Sequence, residues 1–132
     1  MYLFDTSACV TLLRGRSEKL RERMDREPLA RISTSTIVAA ELLYGAEKSS
    51  RRELERQKVA ELLTFFVIIP FDRLAADSYG ALRAKLERAG KSIGAIDTLL
   101  AAQALTLSAT IITGNVREFR QVPNLSVEDW TK

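Results

Sequence analysis

Residues 1–13, Met-Tyr-Leu-Phe-Asp-Thr-Ser-Ala-Cys-Val-Thr-Leu-Leu, join an apolar run to an acid, two hydroxyl residues and a second apolar stretch. Met1–Phe4 suits a short buried strand, which Asp5 ends. Thr6 or Ser7 can then cap a helix reaching about Leu13. This unit of strand, polar turn and helix recurs outward along the chain. Ser17–Arg26 reads as a polar surface helix, and Arg31–Thr34 is too short to assign by itself. Ser35 caps a helix from Thr36 to about Lys48, with Ile37, Ala40, Leu43 and Tyr44 in its expected apolar face and Glu41 beside that face. A charged helix spans roughly Arg51–Leu63, and the β-branched Phe66–Ile69 segment is strand-like and stopped by Pro70. Asp72 caps a helix to Arg88, which Ala89-Gly90 closes. Gly94-Ala95-Ile96-Asp97 opens an apolar helix to Leu107, Thr110–Thr113 reads as a buried strand, and Leu125–Val127 as one more. Strands alternating with helices predict an α/β fold, a parallel sheet covered by helices on both faces. With no Gly/Ser/Pro-rich linker or repeat, residues 1–132 are expected to form one domain.

Composition narrows the chemistry. The chain has 132 residues, 46% hydrophobic and 28% charged, which is ordinary for a globular protein. It contains no histidine, so Ser-His-Asp, Cys-His and His-based acid/base systems are excluded, and His-built zinc sites with them. The single cysteine, Cys9, cannot form an internal disulfide, which suits a reducing cytoplasm. No run approaches the ~18 apolar residues of a membrane span, and the first residues lack the pattern of a signal peptide. The expectation is a cytoplasmic protein with no membrane association. A net charge of +3 and a pI near 9.2 point toward a polyanionic partner.

The placement of charge says more than its total. Asp5 is the only charge in Met1–Leu13, Glu41 the only one in Ile32–Ala46, and Asp97 the only one in Ser92–Val116. Setting these three aside from the 17 acids leaves 14 against 20 bases, so the remaining surface is more basic than the total shows. A lone carboxylate in an apolar segment is costly to bury without a partner. Asp5 follows the first strand and Asn115 the Thr110–Thr113 strand, while Asp97 stands at a helix N-terminus, which favours an anion. Ligands of open parallel sheets bind beyond the carboxyl ends of the strands, so the topology can gather these positions at one edge.

Carboxylates gathered without His or Cys repel one another until a cation neutralises them, and Mg²⁺ or Mn²⁺ is the usual agent. Such an ion activates water and stabilises charge on phosphate, which is nuclease chemistry. Plainer roles compete with this one: Asp5 and Asp97 are both placed to cap helices, and a Glu within a helix is commonly a paired or solvated residue.

Four ordered motifs resemble the PIN-domain family, and within it the VapC-type toxin ribonucleases of bacterial toxin–antitoxin pairs. They are Tyr2-Leu-Phe-Asp-Thr-Ser7; Ser33-Thr-Ser-Thr-Ile-Val-Ala-Ala-Glu-Leu-Leu-Tyr-Gly-Ala46; Ile93-Gly-Ala-Ile-Asp97 with Ala101-Ala102; and Thr113-Gly-Asn-Val-Arg-Glu-Phe119 with its sequel to Trp130. The resemblance implies a three-layer α/β/α sandwich around a parallel sheet, usually a homodimer. It implies that Asp5, Glu41 and Asp97 are the principal acids that bind Mg²⁺ or Mn²⁺, with Glu41 as ligand or water-orienting base. Thr6 or Ser7 would support the first acid, and Thr113 would orient a water or the scissile phosphate. Many members carry a fourth acid where this chain has Asn115, which the resemblance places in the catalytic set as an amide that supplies no charge but whose oxygen can still accept a metal-bound water. Glu118 is either its substitute or a surface residue beside Phe119. The implied activity is metal-assisted hydrolysis of RNA by water, leaving 3′-hydroxyl and 5′-phosphate ends. Initiator tRNA is one target the resemblance suggests, with other tRNAs, ribosomal RNA and mRNA open. The implied partner is a VapB-type antitoxin that blocks the acidic cleft. The rival expectation is a metal-free PIN-type module that binds RNA or acts as a scaffold.

Overall fold

The computed structural model describes residues 1–132. Its centre is a sheet of five short strands: β1 (Tyr2–Phe4), β2 (Ile32–Ser35), β3 (Val67–Ile69), β4 (Thr110–Ile112) and β5 (Ser126–Glu128). All neighbouring pairs are parallel, in the order β3-β2-β1-β4-β5. Seven helices connect them: α1 (Thr6–Leu13), α2 (Glu18–Arg26), α3 (Thr36–Lys48), α4 (Arg52–Leu63), α5 (Arg73–Arg88), α6 (Ala95–Leu107) and α7 (Val116–Phe119). The core joins Leu3, Phe4, Ile32, Ile111 and Ile112 of the sheet to helix residues such as Val38, Leu42 and Leu100. This is the expected α/β/α sandwich.

Strand order decides where the site forms. The chain builds β1, β2 and β3 in one direction, then crosses back to lay β4 on the other side of β1. Phe4 lies opposite Ile112, so the residues following β1 and β4 emerge side by side at the carboxyl edge. A crevice opens where the order reverses in this way.

Local details revise three expectations. Of the caps the sequence offered for α1, the structure uses Asp5, whose carboxylate accepts from the Ala8 amide at 2.8 Å, and not Thr6 or Ser7. The Arg31–Thr34 region contains β2, whose Ser33, Thr34 and Ser35 are fully buried. Thr34 Oγ1 satisfies its buried hydroxyl by donating to the Phe4 carbonyl at 2.8 Å. On α3 the buried residues are Val38, Leu42 and Ala46, while Leu43 and Tyr44 are 44% and 64% exposed. The expected apolar face is therefore rotated from the true one, because α3 is apolar nearly all round from Ile37 to Tyr44. The ends of α1, α2, α3, α5 and α6 lie where punctuation placed them. No helix is long and apolar enough to cross a membrane.

Candidate active site

Asp5 is only 2% exposed, at the end of β1. Three donors hold its carboxylate: Ser7 Oγ and the Ala8 amide on Oδ1, at 2.7 and 2.8 Å, and Thr113 Oγ1 on Oδ2 at 2.5 Å. Burial pushes its pKa up, and the hydrogen bonds from Thr113, Ala8 and Ser7 oppose that rise. The network extends across the switch point. Ser7 Oγ accepts from the Gly114 amide at 3.0 Å, and Thr113 Oγ1 accepts from the Asn115 amide at 2.8 Å. The start of α1 and the turn after β4 are thus tied together around one carboxylate.

Asp97 enters from the first turn of α6. Its pKa is pushed up to about 7, first by partial burial, then by a hydrogen bond shared with Glu118, and then by the charges of Glu118, Asp5 and Glu41. Four carboxylates from four separate segments therefore share one electrostatic environment. Glu41, partly exposed on α3, accepts from Thr6 Oγ1 at 2.7 Å. The two hydroxyls that follow Asp5 consequently divide their work: Ser7 supports the first acid, and Thr6 holds the second.

Asn115 is exposed, and its side chain caps nothing. Glu118, three residues further on, is the residue of α7 that reaches Asp97, and its carboxylate also accepts from the Gly94 amide at 3.5 Å. The sequence already offered Glu118; the backbone amides of Gly94 and Gly114 at the rim were missed. Nothing about either glycine as a residue type announces an amide donor, although both stand inside the motifs quoted above. Cys9 lies beneath the site, where burial and Asp5 raise its thiol pKa and keep it an inert core residue.

The donor set is all oxygen and all acidic, with no lysine or arginine paired to Asp5, Asp97 or Glu41. No three of the acids converge closely enough to clasp an ion unaided. Carboxylate oxygen is the donor that a hard cation such as Mg²⁺ prefers, and such an ion keeps several waters and takes only one or two carboxylates directly. The residues present fit a hard divalent cation.

Known proteins agree with this architecture. A family model for the PIN domain matches residues 2–125. Ribonuclease VapC2 of Rickettsia felis is 37% identical over 135 aligned positions, covering 100% of this chain and 99% of that protein. The tRNA(fMet)-specific endonuclease VapC of Salmonella typhimurium is 33% identical over 129, covering 98% and 97%. Among solved structures, DNA-bound VapBC from Salmonella typhimurium superposes with a TM-score of 0.93 at 32% identity, covering 98% of this chain and 97% of that one. PAE2754 from Pyrobaculum aerophilum, at 13% identity and a TM-score of 0.64, shares the fold alone. A carboxylate crevice at the switch point of a five-stranded parallel sheet, with full-length relatives of this kind, identifies the chain as a member of the PIN-domain family, in its VapC ribonuclease branch.

Proposed function

We propose that this chain is a divalent-metal-dependent endoribonuclease, with residues 1–132 acting as one nuclease domain. In this reading it is the toxin of a type II toxin–antitoxin pair, works as a homodimer in the cytoplasm, and is restrained by a VapB-type antitoxin. The observation that carries the enzymatic part is the electrostatic environment that Asp97, Glu118, Asp5 and Glu41 share at the switch point, which adds to burial in pushing the Asp97 pKa up to about 7.

Asp5 and Asp97 would hold Mg²⁺ or Mn²⁺, with Glu41 beside them and Glu118 supplying the fourth charge that Asn115 lacks. The bound ion would neutralise these acids, lower the pKa of water and offset charge on the phosphate. The protein's own groups do the rest. Ser7, Thr113 and the Ala8 amide fix the Asp5 carboxylate so that it cannot rotate away. Glu41, anchored by Thr6, orients the attacking water and takes up its proton. Water attacks phosphorus, the bond to the 3′ oxygen breaks, and that oxygen takes a proton from solvent and leaves as a 3′-hydroxyl. The 5′ end of the other fragment keeps the phosphate. The tRNA-specific relative makes tRNA the first substrate to assay.

Purified protein should cut tRNA with added Mg²⁺ or Mn²⁺ and not in EDTA, with Ca²⁺ a poor substitute because it prefers larger, looser coordination. Cleavage of DNA of the same sequence should be weak. Full RNA cleavage in chelator would remove the metal-dependent reading. Sequencing RNA 5′ ends after brief expression without antitoxin then identifies the target.

A further inference from the structure

Next to the acids runs a cleft of about 710 Å³ between α1, α3 and α4, and its two ends differ in charge. Thr6 and Glu41, hydrogen-bonded to each other, line one end. Arg14, Arg16 and Lys48 line the other. Helix geometry sets the separation: Thr6 begins α1 and Arg14 follows its end, so about 12 Å lies between them at 1.5 Å per residue. Lys48 is likewise two turns beyond Glu41 on α3. The chain turns at Gly15, whose φ of +61° requires glycine-like freedom, and that turn brings Arg16 back to the cleft wall.

These cations are unspent. Lys58, also in the cleft, pairs with Glu55 at 3.9 Å, whereas Arg14, Arg16 and Lys48 have no carboxylate partner. Lys48 lies over the Tyr44 ring at 5.0 Å. Unpaired cations about two helical turns along the cleft from a carboxylate centre match a polyanion whose reacting phosphate sits at the acids while flanking phosphates lie further along. The geometry points to the α1/α3/α4 cleft as a phosphate track, in which Arg14, Arg16 and Lys48 hold the RNA strand beside the scissile bond. This rests on the ribonuclease reading above and adds the path by which the substrate lies. The three cations are positioning residues; they touch flanking phosphates and not the reacting one.

The test compares Arg14→Ala/Arg16→Ala/Lys48→Ala with a charge-matched control, Lys85→Ala/Arg88→Ala/Lys91→Ala, on α5 and the turn after it. All six side chains are exposed, and circular dichroism checks that both variants fold. Binding of a fluorescein-labelled single-stranded RNA is read by anisotropy in an Asp97→Asn background, which prevents cleavage. The cleft variant should bind about tenfold more weakly, with the slope of log affinity against log salt shallower by ~0.7 for each phosphate no longer neutralised. The control should match the parent. With Asp97 intact, KM should rise for the cleft variant while kcat stays near wild type. Unchanged RNA affinity, or equal losses in both variants, overturns the track. So does a cleft variant that keeps RNA affinity but loses affinity for a peptide of the antitoxin's C-terminal segment, since the cleft then serves the protein partner. Failure of the wild-type protein to cut RNA would instead overturn the activity, because the binding comparison needs no cleavage.

Discussion

Asp97 is pulled both ways by its position. The amino end of α6 favours its anion, while burial, Glu118, Asp5 and Glu41 disfavour it, and the second group prevails. Its pKa of about 7 in the folded chain lies above the ordinary 3.8. Between those values the folded protein binds more protons than the unfolded one, so this contribution to stability falls as pH rises toward 7. Asp97→Asn removes the penalty. Without metal at neutral pH, the variant should therefore be more stable by ~1 kcal/mol after allowing for solvent screening, roughly 3–5 °C in Tm. The gap should narrow as the pH is lowered from about 7 and close only near 3.8, and added Mn²⁺ should raise the Tm of the wild type more than that of the variant. Calorimetric scans in EDTA and in Mn²⁺ measure this, and a variant that melts with the wild type at every pH would contradict the clustered acids. The same substitution should abolish RNA cleavage. Asp5, Glu41 and Asp97 were legible in the sequence because each was the lone charge of an apolar segment. What the sequence could not convey was the division of labour between Thr6 and Ser7. Adjacent hydroxyls look alike until the start of α1 rotates one toward Asp5 and the other toward Glu41.

The short helix α7 carries the departure at Asn115. One turn brings Glu118 to Asp97, whereas the Asn115 side chain stays outside the hydrogen-bond network. Glu118→Gln should weaken Mn²⁺ binding by about 1 kcal/mol, roughly fivefold to tenfold, and slow cleavage. Asn115→Asp should change affinity much less while Glu118 remains. Calorimetric titration of both variants decides the matter: a large gain from Asn115→Asp with no loss from Glu118→Gln would reverse the two residues' roles. Elements were readable to the extent that their burial was one-sided. α2 and α5 show polar and apolar stripes and capping residues, so their limits and orientation follow from sequence. α3 shows few polar residues, so periodicity has no phase to report, and the buried stripe of Val38, Leu42 and Ala46 emerges only against the sheet. β2 was hidden for the opposite reason. Three of its four residues are Ser or Thr, yet all are buried, and the hydroxyl of Thr34 needs the Phe4 carbonyl to justify its place.

At the scale of the molecule, Trp130 closes the fold from beyond the residues that the family model matches. It is 4% exposed and meets Tyr2 and Phe4 edge-on at 4.8 and 5.5 Å, with Arg23 stacked on its ring at 4.5 Å. Its Nε1 donates to Glu128 at 3.0 Å. Trp130→Ala should cost about 3–5 kcal/mol by urea unfolding, because it opens a cavity beside β1 and leaves the Arg23 guanidinium without a ring to stack on. The sheet's helix-covered parallel architecture was legible from the alternation of strands and helices. The strand order was not, because composition does not say on which side of β1 the fourth strand pairs. That pairing also sets a schedule. Asp5 is synthesised almost first, but its partner Thr113 is more than a hundred residues later, and the two meet only when β4 docks on β1. Separated by 108 positions, the two cannot meet until nearly the whole chain has been made. A polypeptide still emerging from the ribosome, even one carrying Asp5, Glu41 and Asp97, lacks Thr113 and with it the finished crevice. In the proposed reading the nuclease is complete only once β4 has docked on β1, which leaves a restraining partner until then to take its place.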